Sequence, residues 1–317
     1  MTNKKYLVTG SAGFIGSNLV KALCENGNSV VGIDSFHSYY SRVIKESNLK
    51  GLSKQANFEF KELDILDLET CDIDSDFDCI FHLAAQPGVR DSWGVGFDSY
   101  AMNNVLGTQK LFEFAARSNI SRVVYSSSSS IYGDAETFPT LESANPQPRS
   151  PYGVSKLTGE YLGAAYSRNF GLEVVILRYF TVYGPGQRPD MAIHRLINCA
   201  ITGQQFPKYG TGEQIRDFTF VNDVVSANIL ASTASLPTLA TAINIGGGNS
   251  TTLNFLISSI ESISGRQIQI EQGGVPPGDV IRTGADTKRA KELLGWYPRT
   301  DIQAGLKLQY EWQLKSF

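Results

Sequence analysis

Tyr152 and Lys156 are the residues whose types and spacing first indicate chemistry. They lie four positions apart in the segment SPYGVSKLTGE, and on a helix this spacing places both side chains on one face. An ammonium beside a phenol favours the phenolate and lowers the pKa of the tyrosine toward neutrality. Such a tyrosine can act as a general base on a hydroxyl group. Because this spacing is common by chance, the interpretation needs support from the rest of the chain.

A run of serines, Ser126–Ser130, follows an apolar, β-rich segment upstream of this pair. If that strand and the helix carrying Tyr152 belong to one sheet, a serine hydroxyl, the phenol and the ammonium can meet at one place. The sequence therefore predicts a site built from a strand end and the start of a helix.

Three glycines, Gly10, Gly13 and Gly16, lie between the first apolar strand and the first helix pattern. This placement is typical of a turn that lets the backbone approach the pyrophosphate of a dinucleotide at a helix N-terminus. Asp34 ends the second strand, where a carboxylate accepts hydrogen bonds from ribose hydroxyls and repels a 2′-phosphate. The pattern therefore predicts NAD rather than NADP as the cofactor, with an ordinary turn aspartate as the alternative interpretation of Asp34.

Two further observations bear on the cofactor. Asp64 and Ile65 follow the third strand, where they can lie near the adenine or form a surface turn equally well. A reductase that uses NADP would need a basic residue just after Asp34, and the chain has Ser35, Phe36 and His37 there.

The elements that must position these residues alternate between strands and helices. Helix patterns cover 14–26, 104–118 and 152–169, and the expected strands are KYLVTG, SVVGID, NFEFKELDI, CIFHLAA, RVVYSSSSS, VVILRYF and AINIGG. This alternation predicts an α/β fold, a Rossmann-type doubly wound parallel sheet with a smaller C-terminal α/β lobe that binds substrate. We expect residues 1–180 to form the NAD-binding domain together with 217–246, and residues 181–216 and 247–317 to form the smaller lobe.

Composition narrows the function classes. The 317 residues are 42% hydrophobic and carry a net charge of −3, so there is no broad basic field for nucleic acid or an anionic membrane. We find no apolar run of membrane-spanning length, and the N-terminal apolar segment is better explained by a strand than by a signal peptide. The four cysteines lack metal-site spacing. We therefore expect a soluble, cytoplasmic protein without a metal site.

With these motifs in place, the chain resembles the extended short-chain dehydrogenase/reductases, and among them the NAD-dependent sugar-nucleotide epimerases and dehydratases. The resemblance spans nearly the whole chain and is carried by VTGSAGFIGSNL, HLAAQPGVR, NNVLGT, YSSSSSIYG, SPYGVSK, LRYFTVYGPGQRPDM, IRDFTFVNDVV and INIGGG. It implies that Tyr152 and Lys156 are catalytic and that the Ser128 hydroxyl bonds the reacting O4 of a UDP-sugar.

The resemblance also implies ligand contacts. Asn104 would lie near the nicotinamide side of NAD, among cofactor contacts from Gly10, Gly13, Phe14, Ile15, Gly16, Asp34, Asp64, Ile65, Ala84, Ala85, Tyr152 and Lys156. Arg216 would grip the UDP pyrophosphate, and Asp279 would meet the nucleotide ribose. Arg90 and Arg188 would be further anion or uracil contacts, with a solvated surface arginine as the alternative for each.

The residues after Ser128 discriminate between reactions. Dehydratases of this group carry an Asp-Glu pair there, and decarboxylases carry Glu at the second position, whereas this chain has Ser129 and Ser130. The resemblance therefore implies epimerisation at C4 through a 4-keto intermediate. Thr181 lies in the run FTVYGPGQRPDMA. This run, with its threonine, resembles the corresponding segment of UDP-glucuronate 4-epimerases. Ser129, Ser130 and Thr181 offer hydroxyl donors to a uronate carboxylate without adding negative charge.

The same motifs suit a 4-epimerase of neutral UDP-sugars such as UDP-glucose or UDP-N-acetylglucosamine, and less well a non-catalytic NAD-binding protein. Family members usually form homodimers through a four-helix bundle, for which residues 104–118 and 152–169 are the candidates. Periodicity does not decide this, because the same apolar stripes can face the sheet instead.

Overall fold

The structure is a computed structural model that describes residues 3–68, 70–71, 73–274 and 280–315. Its strands, in chain order, are β1 (Lys5–Thr9), β2 (Ser29–Asp34), β3 (Phe58–Glu62), β4 (Cys79–His82), β5 (Arg122–Ser128), β6 (Glu173–Tyr179), β7 (Val182–Tyr183), β8 (Phe206–Tyr209), β9 (Ile215–Phe220), β10 (Ala240–Ile245), β11 (Asn249–Thr252) and β12 (Ile270–Gly273). Its α-helices are α1 (Phe14–Glu25), α2 (Arg42–Leu49), α3 (Phe97–Tyr100), α4 (Gly107–Arg117), α5 (Pro151–Phe170), α6 (Ala192–Thr202), α7 (Val221–Ala231), α8 (Leu253–Ser264), α9 (Lys288–Leu294) and α10 (Ile302–Leu314).

Within the described residues, seven parallel strands form the main sheet in the order β10-β6-β5-β4-β1-β2-β3. The strand order reverses beside β1, which is the arrangement that places ligands at the carboxyl edge of a doubly wound sheet. Apolar side chains of these strands pack under helices on both faces, as expected for buried parallel strands. The predicted Rossmann-type α/β fold is confirmed.

A smaller group of elements lies beyond β6. Strands β11, β9 and β7 form one small sheet, and β12 pairs with β8 in another. Strand β9 crosses the predicted boundary at 216/217, and the chain then returns to the main sheet through α7 and β10. The division into two domains stays a prediction.

The helix predicted to begin at Asn104 in fact begins earlier. α3 starts at Phe97, a π-helical turn covers Ala101–Leu106, and α4 continues to Arg117. The preceding sequence is rich in Gly, Ser, Asp and Asn, whose weak helix propensity hides the true start. Tertiary packing overrides that propensity. It places the π turn, a feature often found at functional sites, next to the loop after β4.

Candidate active site

The first turn of α5 positions Tyr152. Ser150 caps the helix by accepting a hydrogen bond from the Gly153 amide at 3.1 Å, and Pro151 suits the first helical position. Gly153 lies so close to the serine run that a Cβ there would be 2.5 Å from the Ser130 carbonyl oxygen. The helix start is therefore held directly against the end of β5.

Lys156 lies one turn along the same face and is buried. Its ammonium donates to the Ser126 carbonyl at 2.8 Å and lies 5.2 Å from the centre of the Tyr125 ring. Burial lowers its pKa to about 7, and the charge of Glu160 opposes that shift. A lysine in this state can change charge within the physiological pH range.

Tyr152 differs in one respect from the sequence prediction. Burial raises the pKa of its phenol, while a hydrogen bond with Ser128 and the charge of Arg188 oppose the rise. The expectation that Lys156 lowers this pKa is not met, because burial of the phenol has the largest effect on it.

Ser128 provides the hydroxyl group that interacts with the Tyr152 phenol. It ends β5, is 8% exposed, and donates to the Ser130 hydroxyl at 3.1 Å while accepting from the Ser130 amide at the same distance. The structure thus brings Ser128, Tyr152 and Lys156 together, as the sequence predicts. A hydroxyl, a phenol and an ammonium at one point can bind and deprotonate an alcohol.

The glycine turn has no room for side chains. Gly10 has φ +69°, and a Cβ on Gly16 would be 2.1 Å from the Gly10 carbonyl oxygen. Gly13 precedes α1 and provides no side-chain cap, so the first amides of that helix face outward. This arrangement is the backbone cradle that a phosphate group needs at a helix N-terminus.

Asp34 ends β2 beside this cradle. Its carboxylate accepts from the amides of Ala12 at 3.2 Å and Phe36 at 2.8 Å. Burial raises the pKa of Asp34, and the charge of Lys45 is the first of the effects that oppose it. The Lys45 ammonium in turn donates to the His37 carbonyl at 2.7 Å. The carboxylate is therefore fixed where a ribose would lie.

One cavity joins the cradle to the catalytic pair. Its lining includes these predicted cofactor residues: Gly10, Gly13, Phe14, Ile15, Gly16, Asp34, Ile65, Ala84, Ala85, Tyr152 and Lys156. The cavity combines a backbone cradle, an apolar wall and a carboxylate at the next strand end, which fits a dinucleotide.

Two predicted cofactor residues, Asp64 and Asn104, are not among the residues that line this cavity. Asp64 caps a short helical turn by accepting from the Leu66 amide at 2.9 Å. Asn104 is 1% exposed, and its amide bonds both the N–H and the C=O of Gln86, at 2.7 and 3.0 Å. Since Gln86 lines the cavity, Asn104 holds part of its wall from behind.

The predicted substrate residues line adjoining cavities. Arg90, Ser129, Ser130, Thr181 and Arg216 share one cavity beside the end of β5. Asp279 lies outside the described residues.

Arg188 lies between the cofactor cavity and a neighbouring cavity and lines both. It pairs with Asp190 at 3.0 Å, and its charge acts on Tyr152. An arginine in this place can lower the pKa of the Tyr152 phenol and can also bind an anion.

Sequence reasoning missed several residues of the cavity wall. Tyr39, Tyr40, Lys45 and Tyr179 line the cofactor cavity. The Tyr39 hydroxyl also donates toward Asp91 at 3.1 Å, which joins the loops after β2 and β4. Tyr179 ends β6 and the other three residues follow β2, so their position at or after the carboxyl end of a strand was the available signal.

Comparisons with known proteins agree with this geometry. Residues 6–246 match the profile of the NAD dependent epimerase/dehydratase family. The chain belongs to the NAD-dependent epimerase/dehydratase family. Its cofactor is accordingly NAD, as the glycine turn and Asp34 predicted.

Three similar proteins cover almost the whole of this family member. An uncharacterised UDP-glucose epimerase of Bacillus subtilis strain 168 is 41% identical over 95% of both chains. A UDP-glucuronate 4-epimerase of Thermodesulfobacterium geofontis is 36% identical over 98% of this chain and 96% of its own. The crystal structure of UDP-glucuronic acid 4-epimerase from Bacillus cereus, in complex with UDP-glucuronic acid and NAD, is 39% identical. It covers 99% of this chain and 100% of its own, with a TM-score of 0.94.

The described part of this epimerase/dehydratase contains no group of three or more His, Cys, Asp or Glu side chains able to hold a metal ion. No helix in the same residues is both long and apolar enough to cross a bilayer. Cys24, Cys71, Cys79 and Cys199 are free thiols.

We expect Asp34→Asn to reduce the preference for NAD over NADP by about tenfold, because the substitution removes the charge that repels a 2′-phosphate. Isothermal titration of the two dinucleotides, after bound NAD has been removed, measures the ratio of affinities. Asp74→Asn is the matched control, since this exposed carboxylate pairs with Lys5 at the other end of the sheet. An unchanged ratio in Asp34→Asn would show that Asp34 does not select the cofactor.

Proposed function

We propose that this chain is an NAD-dependent UDP-sugar 4-epimerase that converts UDP-glucuronate to UDP-galacturonate through a 4-keto intermediate. The observation that carries the proposal is the cavity beside Ser128. Its lining has three arginines, Arg90, Arg216 and Arg149, the last of which pairs with Asp134 outside the lining. It also includes the hydroxyls of Ser129, Ser130 and Thr181, with no carboxylate among its described lining residues. Such a set of donors suits an anionic sugar.

The catalytic groups suit proton transfer at the sugar O4. Tyr152 would remove the O4 proton, while the Ser128 hydroxyl holds O4 by a hydrogen bond. The charge of Lys156 favours the phenolate when the ammonium is protonated. NAD, when bound, supplies the acceptor and then the donor of the hydride exchanged at C4. The 4-keto sugar would have to turn and present its other face before the hydride returns to C4. Return of the proton from Tyr152 to O4 would then complete the inversion.

The sugar carboxylate raises a second requirement. Oxidation at C4 of a uronic acid produces a β-keto acid, which readily loses CO2. We infer that Ser129, Ser130 and Thr181 hold the carboxylate where its C–C bond cannot align with the carbonyl π system. Their hydroxyls also replace water around the carboxylate, and desolvation would otherwise promote decarboxylation.

The comparisons support this substrate without deciding it. Two of the similar proteins are named as UDP-glucuronate 4-epimerases, and one of them was crystallised with UDP-glucuronic acid. The relative from B. subtilis is named a UDP-glucose epimerase, which favours a neutral UDP-sugar as the second candidate. The arginine and hydroxyl content of the cavity favours the uronate.

We expect the purified protein, incubated without added NAD, to interconvert UDP-glucuronate and UDP-galacturonate and to act weakly on UDP-glucose and UDP-N-acetylglucosamine. Product analysis by NMR provides the measurement.

Tyr152→Phe should lower turnover by about 10²–10⁴-fold, because the general base is lost.

In the incubation of the wild-type protein, inversion of neutral sugars alone would overturn the substrate assignment. No turnover of any UDP-sugar by the wild type would overturn the proposed activity.

Ser130→Glu should reduce epimerisation and release a CO2-loss product from UDP-glucuronate. The new carboxylate would repel the uronate carboxylate and disturb the hydroxyl set that holds it. Mass spectrometry of the UDP-sugars and detection of released CO2 measure this. Ser53→Glu, at an exposed position outside the cavities, is the control. Normal epimerisation without a decarboxylated product would contradict the proposed role.

We also propose a homodimer formed by the surface where α4 packs on α5. Apolar side chains are exposed on this surface: Met102 and Leu106 in the π turn, and Val154 and Tyr161 on α5. Helices that leave such a face to solvent commonly cover it with a second copy.

Tyr161→Asp should convert the dimer to a monomer, since it places a charge in the apolar surface. Light scattering measures the mass in solution. Tyr297→Asp, which changes a tyrosine of similar exposure outside this surface, should leave the mass unchanged. A wild-type protein that is monomeric would contradict the proposed dimer.

A further inference from the structure

A buried ion pair lies behind the catalytic residues. Glu160 is one turn beyond Lys156 on α5, and Arg178 is in the adjoining strand β6. Their side chains are 6% and 7% exposed, and they form two hydrogen bonds, Nε–Oε1 at 3.0 Å and Nη2–Oε2 at 2.7 Å. The epimerase chemistry described above does not use this pair.

The pair is joined to the site through the serine run. Three consecutive serines each contact one of three α5 residues spaced four apart. The Ser126 carbonyl accepts from Lys156, the Ser127 hydroxyl donates to Glu160 at 2.5 Å, and Ser128 bonds Tyr152. Glu160 is thus the last of three helix residues that hold the end of β5.

Arg178 prevents the Glu160 carboxylate from turning away. Its remaining nitrogen, Nη1, donates to the Tyr132 hydroxyl at 2.7 Å and to the Glu142 carbonyl at 2.9 Å. The Tyr132 hydroxyl donates onward to Asn244 on β10 at 2.7 Å. The carboxylate is therefore fixed from two strands of the sheet.

Glu160 is also the negative charge that acts on Lys156. The other groups that face the ammonium are the Tyr125 ring and Ser126 carbonyl of β5 and His82 of β4. His82 is neutral, since burial, with the charge of Lys156, lowers its pKa to about 3. Among these described groups, Glu160 is the one whose charge favours the ammonium form of Lys156.

We propose that Glu160, fixed by Arg178, is a positioning residue: it holds the serine run against α5 and supplies the counter-charge of the Lys156 ammonium. The inference rests on the proposed function, in which a charged Lys156 assists Tyr152. Without Glu160, the buried ammonium loses its proton at lower pH, because the negative charge that offsets part of the cost of burying it is removed.

The test follows the ionisation of Lys156 directly by NMR of protein labelled with ¹³C-lysine, without added substrate. The Lys156 resonance is assigned by its absence in Lys156→Ala. In Glu160→Gln, we expect the midpoint of the Lys156 titration to fall by about one pH unit or more. The descending alkaline limb of the pH–rate profile should move in the same direction.

The matched control is Glu173→Gln. Glu173 pairs with Arg122 at the opposite end of the same two strands, with Nε–Oε2 at 2.8 Å. Like Glu160→Gln, this variant removes the carboxylate of an Arg–Glu pair. Its pair joins β5 to β6 at the end of these strands that is far from Lys156. Its Lys156 midpoint and pH–rate profile should equal those of the wild type.

Glu160→Gln leaves the Arg178 cation buried without its partner, which can impair folding. The double variant Glu160→Gln/Arg178→Met removes both charges and provides the second measurement. A lowered Lys156 midpoint in either variant supports the proposal. An unchanged midpoint in the folded variants overturns it. Because the NMR titration needs no substrate, that outcome differs from failure of the proposed function, in which the wild type turns over no UDP-sugar.

Discussion

The contact between the first turns of α5 and the end of β5 is the constraint on which the site depends. Gly153 lets the helix start approach the Ser130 carbonyl, and Gly159 lets the next turns approach Tyr125, where a Cβ would be 2.1 Å from the hydroxyl. The close approach is what allows Ser128 to reach Tyr152 and Lys156 to reach the Ser126 carbonyl. A larger residue at either glycine would separate the hydroxyl, the phenol and the ammonium.

The electrostatics of the site follow from the same packing. Burial opposes charge on Lys156 and on Tyr152, so each needs a neighbour that favours its charged form. Glu160 favours the ammonium form of Lys156, and Ser128 and Arg188 favour the phenolate form of Tyr152. Since Glu160 is itself held by Arg178, the charge state of the site is linked to a hydrogen-bonded network that runs across the sheet to Asn244.

Particular residues show how far sequence reasoning reached. Gly10, Gly16 and Asp34 were predictable because a turn, a helix start and a strand end follow one another in the chain, and their roles are local. Asn104 is predicted to lie near the nicotinamide side of NAD, and the structure adds that its amide holds Gln86 of the cofactor cavity. That contact depends on a π turn that propensities do not reveal. Lys45, Tyr39 and Tyr179 were missed, because only the packed sheet brings their segments to one cavity.

By itself, the sequence determined the Rossmann-type fold, the use of NAD and the placement of Tyr152 and Lys156 on one helix. These depend on hydrophobic periodicity and on residues a few positions apart, which the order of the chain specifies. Only the tertiary structure decided that burial raises the pKa of Tyr152, that Arg188 lies between two cavities, and that Glu160 faces Lys156 with Arg178 behind it. Burial and charge neighbours are set by segments distant in sequence, so they exist only once the strands and helices have packed.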